Sequence, residues 1–180
     1  MKKVLVISSS PRKNGNSDLL AREFARGAEE AGNSVELVSL REKKISPCLA
    51  CNYCHGEGHN NTCAVKDDMA ELLAKMKEAD VYVLATPVYY YNVSAQMKTF
   101  IDRTFACFFE LQNKELYYLC TCTDPGRESI DGALAAFHGF AVCLPGSKEC
   151  GTVYGVGNPN HGDIQGKPEM NAAYEMGRTV

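Results

Sequence analysis

Tryptophan is absent from the 180 residues, so any aromatic ligand has to be stacked by tyrosine or phenylalanine. An excess of positive charge is absent too. The net charge is -3 and the lysines are scattered among acidic residues, which speaks against nucleic acid as a partner. Long apolar runs are missing: Val4 to Ile7, behind Met1-Lys2-Lys3, is too short for a signal-peptide core. No stretch approaches the roughly 20 apolar residues that a membrane-spanning helix needs. There is no low-complexity tract, internal repeat or linker. With 45% hydrophobic and 23% charged residues, the expectation is one globular domain over residues 1–180, cytoplasmic and without a membrane partner.

Cysteine, by contrast, is plentiful. Nine cysteines are an odd count, which argues against a complete disulfide framework in a reducing compartment. Cys107, Cys120, Cys122, Cys143 and Cys150 are dispersed. Cys120 and Cys122, two apart on a strand, share a face and read as buried small hydrophobes. Cys48-x2-Cys51-x2-Cys54 followed by Cys63 gathers four thiols into one segment, and soft sulfur ligands at this spacing suit an iron–sulfur cluster or zinc. His55 or His59 in the CHGEGHNNTC stretch could replace a thiolate at zinc. Metal-free thiols that form a reversible disulfide, or that shape a substrate entrance, are a third reading.

Along the chain, Val4 to Ile7 reads as a buried parallel strand that ends in the polar loop SSSPRKNGNS. Ser17 caps a helix with Leu20, Phe24, Gly27, Ala28 and Ala31 at helical spacing, the small residues allowing close approach to the sheet. Val35 to Leu40 is a second strand. After the cysteine segment, Asp68 and Glu71 form a capping-box pattern ahead of the stripe Met69, Leu72, Leu73, Met76. Val81 to Ala85 is a third strand, followed by the loop TPVYYYN and the helix SAQMKTFIDR, with Met97, Phe100 and Ile101 turned inward. Leu116 to Cys122 and Phe140 to Leu144 are the fourth and fifth strands, with a helix from about Glu128 to His138 between them. Pro145 to Gly151 and Gly155 to Pro168 read as surface loops, and Glu169 to Gly177 as a last helix. Alternating strands and helices predict an α/β fold: a flavodoxin-like, doubly wound, five-stranded parallel sheet of order 2-1-3-4-5 with helices on both faces.

Chemistry should gather at the carboxyl ends of those strands. SSSPRKNGNS precedes a helix N-terminus, where free N–H groups and the helix dipole favour an anion. Ser8, Ser9, Ser10, Asn16 and Ser17 offer short donors and Arg12 a charged fork, while Pro11 and Gly15 let the chain curl. Neither a Walker A order nor a G-x-G-x-x-G turn is present, which disfavours an NTPase or a Rossmann dehydrogenase. TPVYYYN faces this loop across the reversal of strand order, and an aromatic ligand such as isoalloxazine would cover its three tyrosines.

The strings VLVISSSPRKNGNS, CLACNYC, CAVKDDM, TPVYYYNVSAQMKTFIDR and GDIQGKPEMNAAYEMGR resemble, in order, the NADPH-dependent FMN reductase and iron–sulfur flavoprotein group of the flavodoxin-like superfamily. The resemblance implies FMN as cofactor. Its phosphate would be held by Ser10, Arg12, Asn16 and Ser17, and its ring lined by Pro87, Val88, Tyr89, Tyr90, Tyr91 and Asn92. A third loop would contribute Thr123, Asp124 and Gly126. Ser9 departs from the pattern, standing where relatives usually have glycine at a tight turn. The resemblance also makes Cys48, Cys51, Cys54 and Cys63 candidate ligands of a [4Fe–4S] cluster, although the last gap of eight residues exceeds the usual four to seven. It implies an NAD(P)H-dependent oxidoreductase that is a homodimer or larger homo-oligomer. Electrons would pass from NAD(P)H through FMN to a small acceptor such as a quinone, flavin or nitroaromatic, with no dedicated acid–base residue. A flavodoxin-type or iron–sulfur flavoprotein electron carrier is the alternative. A redox-sensing or metal-binding module, with the cysteine segment as its active part, is a third possibility.

Overall fold

The computed structural model describes all residues from Met1 to Val180. Five parallel strands make the sheet: β1 (Lys3–Ser8), β2 (Ser34–Ser39), β3 (Val81–Tyr89), β5 (Glu115–Thr121) and β6 (Lys148–Gly155). A two-residue strand, β4 (Asn92–Val93), pairs antiparallel with the end of β3 and lies off the main path. The sheet order is β2-β1-β3-β5-β6, which, counting the parallel strands alone, is the expected 2-1-3-4-5. Helices α1 (Asn16–Glu30) and α5 (Pro168–Arg178) cover one face. Helices α2 (Met69–Glu78), α3 (Ala95–Arg103) and α4 (Asp131–Ala141) cover the other.

Burial on both faces explains the unbroken apolar runs. Along β1, Val4 and Val6 pack toward α1, whereas Leu5 and Ile7 pack toward α2 and α3. In β3, Val81, Val83 and Ala85 alternate with Tyr82 and Leu84 in the same way. Cys120 and Cys122 are both buried in the core on the α4 side, as their spacing predicted.

The fifth strand lies elsewhere than its apolar run suggested. Phe140 and Ala141 complete α4, continuing the buried stripe of Ala133 and Phe137, and Val142 is exposed. A short apolar run carries no period of its own and can end a helix as readily as form a strand. The strand is the polar-looking KECGTVYG, an edge strand whose first three residues are exposed. Its start takes Lys148 to Gly151 out of the expected Pro145–Gly151 loop.

Two expected caps are also absent. At α1 the N-cap is Gly15, without a side-chain bond, and Ser17 is inside the helix. At α2, Asp68 accepts from the Lys44 N–H (2.7 Å) and Glu71 pairs with Lys43 (3.1 Å), so both carboxylates tie down the preceding loop and no capping box forms. Ser94 does cap α3, accepting from Met97 N at 3.2 Å, and Met97 and Phe100 are fully buried beneath it, with Ile101 partly so. The small residues of α1 serve α5 as well as the sheet: a Cβ at Gly27 would stand 2.1 Å from the Tyr174 carbonyl oxygen. No helix is long and apolar enough to cross a membrane.

Candidate functional site

The carboxyl ends of β1, β3, β5 and β6 open into one crevice. Its walls include Ser10, Arg12, Gly15, Asn16 and Ser17 from the first loop, Pro87, Val88 and Tyr89 from the end of β3, and Thr121, Cys122 and Thr123 from β5 and beyond. Of the expected ligand residues, Tyr90, Tyr91 and Asn92 stand beyond this wall on the hairpin, and Asp124 and Gly126 do not line it.

The first loop is tightly folded on itself. Buried Asp18 accepts from Ser8 Oγ (2.9 Å), from Asn14 N (3.1 Å) and from Arg22 Nε (3.1 Å). Ser10 Oγ donates to Arg12 O at 2.9 Å and faces the Arg12 N–H at 3.3 Å, closing the turn. Gly15 is needed there, since a Cβ would come within 2.5 Å of Ser10 Oγ. Ser9, the departure from the family pattern, is fully buried. Its hydroxyl donates to Ala85 O (3.1 Å) and accepts from the Ser94 hydroxyl (2.9 Å), tying the first loop to β3 and to the start of α3. Asn16 is spent on the far wall: its amide donates to Asn158 O (3.3 Å) and Asn160 O (2.9 Å), and its Oδ1 accepts from Ile164 N (3.3 Å). Ser17 Oγ is the exception, buried at the start of α1 with no hydrogen-bond partner. A buried hydroxyl without a partner costs stability, and beside the positive end of a helix it is a ready donor for a bound phosphate.

The tyrosine loop is a two-residue hairpin. Tyr89 pairs with Asn92, and Tyr90 (φ 49°) and Tyr91 (φ 61°) both sit in the left-handed region usually filled by Asn or Gly. Each left-handed residue costs about 1–2 kcal/mol. The hairpin is held in place by Ser94 N, which donates to Thr86 Oγ1 (3.0 Å), and by close contact with α4. A Cβ at Gly132 would lie 2.0 Å from Tyr91 O. All three tyrosines are exposed, Tyr90 completely. Strain and exposed aromatic surface at one point mark a site shaped for something other than stability.

The loop after β6, read from sequence as ordinary surface, supplies a further wall with Asn158, Pro159 and His161. Asn158 is buried, donates to Gly155 O (2.9 Å) and Val156 O (2.8 Å), and accepts from Lys167 Nζ (2.7 Å). His161 Nε2 lies 2.8 Å from Lys13 O and ties this loop to the first one. The signal that would have found them is the strand itself. With β6 placed at Lys148–Gly155, the loop at its carboxyl end has to face the crevice.

All nine cysteines are free. Cys48 and Cys51 are exposed, whereas Cys54 and Cys63 pack against the core. Burial pushes the Cys54 thiol above the ordinary value. No three metal-ligating side chains converge closely enough to hold a single ion. Zinc, with its donors about 2.3 Å from one point, therefore does not fit the arrangement as it stands. His55 is engaged with Phe105 O (3.0 Å) and His59 stacks on Tyr53, so neither joins the sulfurs. A cluster spreads its thiolates over several irons, and two features suit it. Ala50, at φ 51°, turns its N–H toward Cys48 Sγ (3.5 Å), and four thiols lie within the one segment from Cys48 to Cys63.

A parallel sheet of order β2-β1-β3-β5-β6, with a crevice at its carboxyl edge walled by the serine-rich first loop and by Tyr89, defines an α/β protein of the flavodoxin-like class. Residues 2–144 match the family described as NADPH-dependent FMN reductase, and the chain belongs to that family, whose cofactor is FMN. It is 46% identical over 114 residues to an iron-sulfur flavoprotein of Methanocaldococcus jannaschii, covering 62% of this chain and 58% of that one. It is also 45% identical over 101 residues to an iron-sulfur flavoprotein of Archaeoglobus fulgidus, covering 56% and 44%. The matched stretches thus span about half the length of these curated relatives. The crystal structure of an azoreductase from Bacillus anthracis shares the fold at a TM-score of 0.77 and 16% identity, covering 100% of both chains.

Proposed function

We propose that residues 1–180 form one FMN-binding domain that takes electrons from NAD(P)H and passes them to a small acceptor such as a quinone, flavin or nitroaromatic. The observation that carries this reading is the crevice itself, which brings the unpartnered Ser17 hydroxyl at the start of α1 together with Pro87, Val88 and Tyr89, the last beginning a hairpin whose Tyr90 and Tyr91 sit in left-handed backbone. Bound FMN supplies the redox chemistry, accepting a hydride and returning electrons to the acceptor.

The residues of the chain bind and orient. Ser17 and the N–H groups of the first turn of α1 receive the phosphate, and Arg12, exposed at the rim, adds charge. Asn16 and His161 hold the walls together so that the anion meets a preformed cradle. Pro87 and Val88 line the ring edge, and Tyr89 offers its face for stacking. Tyr90 and Tyr91, on the exposed hairpin, are placed to meet the nicotinamide or acceptor arriving over the ring. No side chain in the crevice is assigned an acid–base role, in keeping with chemistry that belongs to the flavin.

A homo-oligomer is part of this reading, because Phe105, Phe109 and Val142 present apolar surface beyond the crevice. So is a cytoplasmic setting, in keeping with nine free thiols. The test is to mix FMN-loaded protein with NADPH in the absence of oxygen. Prompt loss of oxidised flavin absorbance is the expected result, and a flavin that stays oxidised would replace the reductase by an electron carrier.

A second reading adds a cluster. The names of the two archaeal relatives, the crowding of four cysteines into one segment and the Ala50 N–H beside Cys48 favour Cys48, Cys51, Cys54 and Cys63 as holders of an iron–sulfur cluster, which would supply one-electron transfer beside the flavin.

A further inference from the structure

Asn16 lines the crevice at the start of α1, yet neither of its amide donors is left for a ligand. Both are taken, by Asn158 O (3.3 Å) and Asn160 O (2.9 Å), and Oδ1 accepts from Ile164 N (3.3 Å). The three partners belong to one stretch, residues 158–164, which runs like a strap from the third loop to the first. At its start Gly157 N donates to Asp124 O (2.7 Å) and Asn158 N to Cys122 O (2.9 Å). Lys167 Nζ braces that corner, donating to Gly157 O (2.9 Å) and to Asn158 Oδ1 (2.7 Å). Midway, His161 Nε2 donates to Lys13 O (2.8 Å). Asp163 accepts from Asn160 N (2.7 Å) and keeps the turn tight, and Ile164, fully buried in the core on the α1 side, anchors the far end.

Four hydrogen bonds, three from Asn16 and one from His161, thus stitch the strap to the first loop and close the seam between them. A mononucleotide is indifferent to that closure, because its phosphate ends at Ser17 and the first turn of α1. A dinucleotide continues through a second phosphate into an adenosine, and that extension has to leave the cradle. The side toward Tyr89 is taken by the flavin ring, and the buried Ser9, bonded to Ala85 O and to Ser94, closes the way toward β3 and α3. The remaining way out lies between Arg12 and His161, on the two sides of the stitched seam. Passing there breaks the stitches and leaves their donors and acceptors without partners. We propose that the strap of residues 158–164, held by Asn16 and His161, is the specificity element that restricts this crevice to FMN and shuts out FAD. The proposal rests on the flavin reading above and adds to it which end of the ligand is selected and by which residues.

The test uses the whole chain, freed of flavin, as wild type and as the variants His161→Ala and Asn16→Ala. Each is titrated with FMN, FAD and riboflavin, and binding is read from flavin fluorescence. Riboflavin has the ring without the phosphate, so it reports on the ring side alone. In the expected result wild type binds FMN at least about 100-fold more tightly than FAD. His161→Ala, which removes one stitch, narrows that ratio about 5-fold, and Asn16→Ala, which removes three, brings FAD within about 10-fold of FMN. Riboflavin binds all three proteins alike. A strap that served only to hold the fold together would weaken the three flavins in step and leave the ratio where it was. If Asn16→Ala does not fold, His161→Ala carries the test, since that side chain is exposed and its one bond is to a backbone carbonyl. A ratio unchanged in the variants, or a wild type that takes FAD as tightly as FMN, would overturn the role of the strap and leave the FMN site standing. A wild type that binds no flavin would overturn the flavin reading, and the strap's role with it.

Discussion

The crevice and the cysteine segment are built in opposite ways. Each wall of the crevice is a short extension of a strand or helix, and its polar side chains are mostly spent on one another, with Ser17 Oγ left over. The segment from Lys43 to Lys66 has a single short helical turn, Tyr53–His55, and its buried ion pair is Arg103–Asp67, its other tethers, such as Lys44–Asp68 and His55–Phe105, being exposed. In the first region order comes from many element ends, so one lost group should act locally. In the second it leans mainly on one buried clamp, so losing that one group should loosen the whole segment.

The contrast is tested most severely by Arg103→Met. Leaving the Asp67 carboxylate partly buried without its cation should cost about 3–5 kcal/mol of stability, measured by denaturant unfolding under reducing conditions. Limited proteolysis should then cut first within the cysteine segment. If cleavage began in the tyrosine hairpin, the clamp would not be what holds the segment.

At the crevice the matching change is Ser17→Ala. Its hydroxyl is buried and bonds to nothing in the protein, so its removal should stabilise the FMN-free chain by about 1–3 kcal/mol in denaturant unfolding. FMN binding should weaken by about 1.5–3 kcal/mol, the worth of a hydrogen bond to a charged group, read from a flavin fluorescence titration. Lost stability without lost affinity would make Ser17 an ordinary helix residue. Gly132→Ala should have a smaller and mixed effect. Its Cβ must push Tyr91 away, costing about 1–3 kcal/mol of stability by overpacking and weakening FMN only as far as Tyr89 follows the hairpin.

The same contrast explains what could be read from the sequence. The first loop, the tyrosine loop and the sheet order were legible because each lies next to an unbroken apolar strand, and a buried parallel strand announces its own carboxyl end. β6 was not legible: as an edge strand with an exposed start, it carries no apolar run, and the end of α4 imitated one. The loss of β6 concealed Asn158 and His161, since nothing else in GNPNHGD marks a crevice wall. Asn16 was correctly located but its task was not, because a side-chain amide is as able to hold three backbone groups 142 to 148 residues away as to hold a phosphate. Arg103 closes an ordinary amphipathic helix in sequence, and its burial depends on Asp67, 36 residues earlier. Pairings at such distance leave no local pattern.

The smallest expected effect lies in the acid limb of the unfolding profile. Burial tends to raise the Asp67 carboxyl, but the Arg103 hydrogen bonds, the N–H groups of Ser46 and Met69 and the nearby positive charge more than offset it, and its pKa lies below the ordinary 3.8. A carboxylate depressed by folding stabilises the native state above its unfolded pKa, and that contribution is lost as pH falls toward the folded value. Wild type should therefore keep this contribution from neutral pH down to about 3.8 and lose it below. In Arg103→Met the largest depressing partner is gone, and burial is opposed by backbone donors alone. The folded pKa moves up and less stability remains for acid to remove. The stability gap between wild type and Arg103→Met should thus narrow as pH drops below 3.8, whereas the gap between wild type and Ser17→Ala, which touches no titrating group, should stay flat. A gap that stayed constant for both variants would mean that Asp67 does not owe its low pKa to Arg103, and the cysteine segment would need another anchor.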